Sequence, residues 1–146
     1  MNRAKGIIGV VVIVVALATF SFLRGGVAAR PAAFESTRDL TAALAASKES
    51  GKPVLAFVTA DWCGPCQALK RGALIDPKVE AAIKSGTEAV YVDATGYNAD
   101  AESLGVKSIP VLVVLRPGDG KPREVSRLMG DADPEHILDW LAGAMK

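Results

Sequence analysis

Cysteine and histidine are scarce in this chain, and the shortage narrows its chemistry. Among 146 residues there are two cysteines, Cys63 and Cys66, and one histidine, His136. A structural zinc site needs four ligands, usually a second cysteine pair or two histidines, so no metal site is expected. No cysteine lies near the N-terminus, so a lipid anchor of the lipobox type is not expected. Basic clusters are missing as well. Four of the 17 basic residues (Arg3, Lys5, Arg24 and Arg30) precede the first acidic one, which leaves the remainder mildly acidic and gives no case for nucleic-acid binding. There are no internal repeats, and the length suits one domain.

What the chain does have is concentrated in Ala60-Asp61-Trp62-Cys63-Gly64-Pro65-Cys66. The segment follows an apolar run and opens a stretch that reads as helix. Near a helix N-terminus, unpaired backbone N–H groups and the positive dipole end favour thiolate over thiol. The thiolate is the attacking species in disulfide exchange. A purely structural disulfide is a poor alternative, because a loop of about four residues restrains the unfolded chain little. Inert buried cysteines fit poorly too, since a Gly-Pro turn is expected to expose the first thiol. An isolated tight pair reads best as a redox centre.

The N-terminus reads separately. After Arg3 and Lys5, Gly6 to Leu23 forms 18 residues without a charge, roughly 27 Å as a helix and close to a bilayer's hydrocarbon thickness. The run is apolar on every face, which argues against a soluble core helix. Two readings fit: an uncleaved signal-anchor over residues 1–23, which is favoured, or a secretory signal peptide cut near Ala29. Arg24, directly after the apolar run, suits a membrane edge. Basic residues on both sides make the positive-inside rule a weak guide, but a short basic head that stays in the cytoplasm leaves the domain exported under either reading. The expected location is the inner or plasma membrane, single-pass, with the domain in the oxidising periplasm.

Residues 24–33 read as a Gly/Ala/Pro linker, flexible or extended, and residues 34–146 as the domain. Ser36 is expected to cap a helix, with Asp39 three residues on and Leu40, Ala43, Leu44 and Ser47 at helical spacing up to Gly51. Pro53 to Thr59 reads as a fully buried strand. Helix follows over Gln67 to Leu74, is interrupted at Asp76-Pro77, and resumes to about Ile83. Glu88 to Asp93 is a second strand, Asp100 to Leu104 a short helix ended by Gly105, and Pro110 to Arg116 a third strand. Pro117 to Gly120 turns into a fourth strand, Arg123 to Met129. Asp133-Pro134 starts a last helix with Ile137, Leu138, Trp140 and Leu141 as its apolar face. The order αβαβαββα describes one α/β domain.

Trp62-Cys63-Gly64-Pro65-Cys66 resembles the active site of the thioredoxin family, and the element order is similar to the thioredoxin fold, a central mixed β-sheet flanked by helices. A second match is Ser108-Ile109-Pro110, whose proline lies 44 residues after Cys66. The resemblance covers roughly Phe34 to Lys146 and implies a cis Ile109–Pro110 bond facing the cysteines, whose backbone docks the substrate chain. Gly51-Lys52-Pro53-Val54, Ala60-Asp61-Trp62-Cys63 and Asp76-Pro77-Lys78-Val79 resemble the periplasmic thioredoxin-like domain of DsbD and its single-domain relatives. The Gly-Pro dipeptide between the cysteines resembles thioredoxin itself and implies a reducing poise.

One departure stands out. Where thioredoxins bury an aspartate six residues before the first cysteine, this chain has Phe57. The neighbouring strand position that carries a lysine in that family corresponds to Ala89. Asp61 is expected to point outward.

The resemblance implies a disulfide reductase in which Cys63 attacks a substrate disulfide and Cys66 resolves the mixed disulfide. Trp62 covers the site, Gly64 permits a tight turn and Pro65 stiffens it. No cofactor beyond the Cys63–Cys66 pair is implied; partners would be protein disulfides, a membrane or extracytoplasmic thiol donor, and the membrane itself. An oxidase or isomerase on the same fold, and a thiol-dependent client-binding or assembly factor, remain as alternatives. His136 is expected to be an ordinary surface residue and Trp140 part of the core.

Overall fold

A computed structural model describes residues 9, 11–17, 19, 25–36, 38–119 and 121–146. Much of the expected membrane segment, with Arg3, Lys5 and Arg24, lies outside the described residues, as does Gly120 of the expected turn. Within that segment residues 11–17 are helical, and Val11 to Val15 and Leu17 are all more than half exposed. Among the described residues no helix is long and apolar enough to cross a membrane.

The domain is built from α1 (Leu40–Ser50), β1 (Val54–Thr59), α2 (Gly64–Arg71), α3 (Pro77–Gly86), β2 (Glu88–Asp93), α4 (Ala99–Ser103), β3 (Val111–Arg116), β4 (Arg123–Met129) and α5 (Pro134–Ala144). Short 3-10 turns occupy Ala32–Phe34 and Ala73–Ile75. The sheet order is β2-β1-β3-β4, with β1 parallel to β2 and antiparallel to β3, and β3 antiparallel to β4.

Strand β1 is buried along its whole length because both sheet faces are covered. Its alternation sorts the core in two. Leu55 and Phe57 pack with Leu69, Leu74, Ile83, Ile137 and Leu141 beneath α2, α3 and α5. Val54, Ala56 and Val58 face the opposite layer, with Leu40 and Ala43 of α1 and Leu104 after α4. Strand β1 thus supplies side chains to a core layer on each sheet face, and it delivers the loop after Thr59 to the sheet's end.

Helix starts follow local side-chain chemistry. Asp39, Asp76, Asn98 and Asp133 each accept a backbone N–H in the first turn of α1, α3, α4 and α5. Asp39, not Ser36, is therefore the α1 cap: its carboxylate accepts from Ala42 N at 2.7 Å, while Ser36 Oγ accepts from Arg38 Nε. The cap sits three residues later than expected because an aspartate immediately before Leu40 satisfies the orphan donors directly. Gly51 ends α1 at φ +73°, the left-handed conformation that glycine adopts freely. Trp140 is half-buried, with Nε1 donating to Ser126 Oγ at 2.8 Å.

The packed domain begins before Phe34. Pro31 and Ala33 are buried, and the stretch from Gly25 lies along α2. Arg71 donates to the carbonyls of Gly25 and Gly26, Ala28 N–H donates to Gln67 Oε1 at 2.6 Å, and the Arg30 guanidinium lies 4.4 Å from the Tyr91 ring centroid. These contacts turn the Gly/Ala/Pro stretch into a strap.

Candidate functional site: a disulfide at the start of α2

Cys63 and Cys66 form a disulfide, with Cα atoms 5.2 Å apart. Cys63 is itself the N-cap of α2, and its sulfur accepts the Cys66 N–H at 3.3 Å. The sulfur thus occupies the place where aspartate caps α3 and α5, pointed at by an orphan backbone donor and the positive end of the helix. Any charge that appears on Cys63 when the disulfide opens develops in front of those groups.

Access is tighter than the Gly-Pro turn suggested. Cys63 is 5% exposed and Cys66 fully buried. Ile109 covers them, packed against Ala60, Cys63 and Cys66. The Ile109–Pro110 bond is cis, as the resemblance implied, and Pro110 is buried with its carbonyl accepting from Gly130 N–H at 2.9 Å. Gly64 starts α2 without a positive φ, and a Cβ built on it would meet nothing within 4 Å. The turn therefore does not demand glycine on its own account, contrary to the role expected for Gly64. Pro65 falls in the first turn of α2, where its missing N–H costs nothing.

Trp62 is 69% exposed, with Nε1 donating to the Thr95 carbonyl at 3.4 Å. Its side chain, next in sequence to Cys63, is open apolar surface and does not pack into the core. Thr95 also accepts from Asp61 N–H through Oγ1 at 2.9 Å, which laces the cysteine loop to the β2–α4 loop. The expected residues Trp62, Cys63, Gly64, Pro65 and Cys66 thus follow β1, and Ile109 and Pro110 meet them at the start of the neighbouring strand β3.

Residues the sequence reading passed over complete the site. Along α2, Cys63, Cys66, Gln67 and Lys70 recur at helical spacing on one face, and Cys66, Gln67 and Lys70 are all buried. That spacing was the available signal: two polar side chains on the inward face of a short helix. Gln67 Nε2 donates to the carbonyls of Ala60 at 3.1 Å and Asp61 at 3.3 Å, while its Oε1 takes the Ala28 N–H. One amide thus ties the strap to the cysteine loop. Lys70 Nζ lies 3.2 Å from Tyr91 Oη and 3.9 Å from Asp61 Oδ1.

Phe57 is fully buried and meets Phe34 and Tyr91 ring to ring, with centroids 5.5 and 5.7 Å away. The sheet register pairs Phe57 with Tyr91, and Ala89 with Leu55. The buried cation on this face therefore comes from α2, through Lys70, and not from the strand position of Ala89. Among the described residues the only buried side-chain polar atom without a partner is Thr59 Oγ1 at the end of β1. Asp61 is exposed, as expected, and His136 is also exposed. It lies beside a groove of about 700 Å³ lined by Arg71, Asp76, Asp131 and Asp133, away from the expected site residues. No group of three or more His, Cys, Asp or Glu among the described residues is placed to hold a metal ion.

Residues 34–117 match the family model described as thioredoxin-like. The chain belongs to the thioredoxin-like family. This thioredoxin-like chain is 30% identical over 109 residues to the thiol:disulfide interchange protein DsbD 1 of Pseudomonas aeruginosa, a match over 72% of the chain but 18% of that relative. It is 36% identical over 92 residues to a thioredoxin-like protein of Synechocystis, across 63% of the chain and 81% of the relative. The oxidised C-terminal domain of DsbD from Neisseria meningitidis superposes with a TM-score of 0.60 at 27% identity, over 76% of this chain and 97% of that domain. The thioredoxin-like protein thus carries the close cysteine pair of a thiol–disulfide oxidoreductase on the matching fold, while spanning less than a fifth of the DsbD relative.

Proposed function

We propose that the protein is a membrane-tethered, extracytoplasmic disulfide reductase whose working group is the Cys63–Cys66 dithiol. The observation that carries the reading is the Cys63 sulfur at the N-cap of α2, where it accepts the Cys66 N–H. In the reduced protein that position favours the Cys63 thiolate. Cys63 attacks a substrate disulfide, forms a mixed disulfide and releases one substrate thiolate. Cys66 then loses its proton to water and attacks Cys63 Sγ, re-forming the Cys63–Cys66 bond and expelling the second substrate thiolate. Two electrons pass from the cysteine pair to the substrate.

Trp62 and Ile109 supply the apolar rim against which a substrate chain lies, with the Ile109–Pro110 backbone beside the cysteines. No cofactor enters these steps. Turnover requires a thiol donor in the membrane or outside the cytoplasm to reduce the Cys63–Cys66 bond again, and similarity to a thiol:disulfide interchange protein supports such a partner.

Tethering is supported by the apolar side chains of residues 11–17, which cover every side of that helical stretch and are exposed among the described residues. Retention of the segment is supported by the strap: cleavage near Ala29 would remove the Ala28–Gln67 bond and the Gly25 and Gly26 contacts to Arg71.

The test is the reduction potential of the Cys63–Cys66 pair in the full chain, equilibrated in glutathione buffers. A value at or below about −230 mV supports the reductase. A value above about −180 mV refutes it and makes the protein an oxidase or isomerase.

A further inference from the structure

Lys70 is the one charged residue among the described residues that is buried, with 2% of its surface exposed. An ammonium has three N–H donors. Among the described residues it meets one acceptor within hydrogen-bond length, Tyr91 Oη at 3.2 Å. The Asp61 carboxylate follows at 3.9 Å, and the Tyr91 ring centroid lies at 5.8 Å. A desolvated cation with so few partners is destabilising, so its retention on the face that carries the cysteines calls for a reason.

Geometry supplies one. Lys70 sits one turn beyond Cys66 on the same face of α2, where Cβ atoms four residues apart are about 5–6 Å from each other. Helical side chains lean toward the N-terminus, and the approach to Asp61, two residues before Cys63, shows that Lys70 does so. While the disulfide is closed the sulfurs carry no charge. Opening it creates a thiolate in a buried setting, beside a strand where Phe57 offers no polar group. We propose that Lys70 is a positioning residue for disulfide exchange: its buried ammonium is the counter-charge for the Cys66 thiolate, acting through its field without contact. It thereby eases the second step, in which Cys66 gives its proton to water and its sulfur displaces the substrate sulfur from Cys63. The inference rests on the exchange reading above.

The charged and titratable groups around Lys70 are few. Asp61 faces it from the cysteine loop and Tyr91 from β2, and Arg30 of the strap lies against the same Tyr91 ring. Arg71, next in α2, is turned to the Gly25 and Gly26 carbonyls, and Asp93 at the end of β2 is exposed and accepts from Thr95 N–H.

The test follows thiolate absorbance against pH in the reduced full chain, for the wild type, Lys70→Met and Lys70→Arg. Expected is a rise of about one pH unit in a thiolate midpoint for Lys70→Met, a roughly tenfold loss of thiolate at a fixed pH below it, with Lys70→Arg close to wild type. Superimposable titrations of the wild type and Lys70→Met overturn the proposal. Should Lys70→Met not fold, the wild type decides by salt: a buried counter-charge is little screened. Both thiolate midpoints at or below the free-thiol value of about 8.5, unchanged between low and high salt, support Lys70, because an uncompensated buried Cys66 would titrate above that value. A second midpoint above it, or one that climbs with salt, overturns the proposal. Wild-type reduction of a protein disulfide is measured alongside. Its absence counts against the exchange reading, whereas normal turnover with an unshifted Lys70→Met titration counts against Lys70 alone.

Discussion

Replacing Gln67 by leucine should cost the oxidised protein about 2–3 kcal/mol while leaving its fold intact. The estimate follows from the three hydrogen bonds of one buried amide: Nε2 to the Ala60 and Asp61 carbonyls and Oε1 from Ala28 N–H. Net contributions of such bonds are about 0.5–1.5 kcal/mol each. The bond to Ala60 belongs at the upper end, because Ala60 is buried and water cannot replace the lost donor. That carbonyl still receives Cys63 N–H at 3.3 Å, which limits the damage. Asp61 and Ala28 lie nearer solvent and can rehydrate, so their bonds belong at the lower end. Leucine returns a little apolar burial, though not the directionality.

The assay is denaturant unfolding of the oxidised full chain, where the midpoint should fall with the slope unchanged. Amide exchange provides the local signature: the Ala28 N–H should lose its protection in the variant, since the strap is then held only through its remaining contacts. Gln67→Glu sharpens the reasoning, because it keeps an acceptor for Ala28 but turns a carboxylate toward two carbonyls, and it should be worse than leucine at neutral pH. A Gln67→Leu loss below about 0.5 kcal/mol, within the range of an ordinary surface substitution, would refute the account of Gln67 as the tie between strap and cysteine loop.

Three further outcomes follow from the same structure. Gly64→Ala should be neutral or stabilise by up to about 1 kcal/mol in thermal unfolding, since its backbone is not left-handed and the Cβ has open space; a loss above that figure would mean the turn needs glycine. Trp62→Ala should leave the stability of the oxidised protein within about 0.5 kcal/mol while lowering kcat/KM for a protein disulfide several-fold, and unchanged kinetics would remove Trp62 from the docking rim. Burial pushes the Glu88 carboxyl up, but hydrogen bonds from Ser50 and Arg38, with the charge of Arg38 2.5 Å away, hold it below its ordinary value of 4.5. Because the folded value is depressed, the stabilisation is present above that ordinary value and disappears as pH falls through the folded one. Arg38→Met should therefore cost about 0.5–1 kcal/mol near neutral pH, with the gap to wild type closing in acid; a gap that stays constant with pH would show that the pair contributes through packing.

Local chemistry in the sequence determines much of this fold. The short apolar run Pro53 to Thr59, rich in valine and bounded by Pro53 and the cysteine loop, read as an inner strand because so little along it is suited to water. Asp76-Pro77 and Asp133-Pro134 start helices by the same capping rule, and Gly51 ends α1 because it alone there takes a left-handed turn without a Cβ penalty. Cys63 and Cys66 were legible because their spacing and the junction between strand and helix are properties of a few consecutive residues.

What only the tertiary structure decided involves partners far apart in sequence. The burial of Cys63 under Ile109, the strap from Gly25 to Arg30 along α2, and the Thr95 contacts to Asp61 and Trp62 join segments that no local pattern connects. Register settled the surroundings of Phe57: a parallel ladder places Tyr91 opposite it and leaves Ala89 beside Leu55. The polar group on that face then arrived from α2 as Lys70, whose side chain is long enough to lie along the helix and reach Tyr91 and Asp61. Short-range spacing determines which residues share an element's face, whereas the environment a face meets is set by packing between elements distant in sequence.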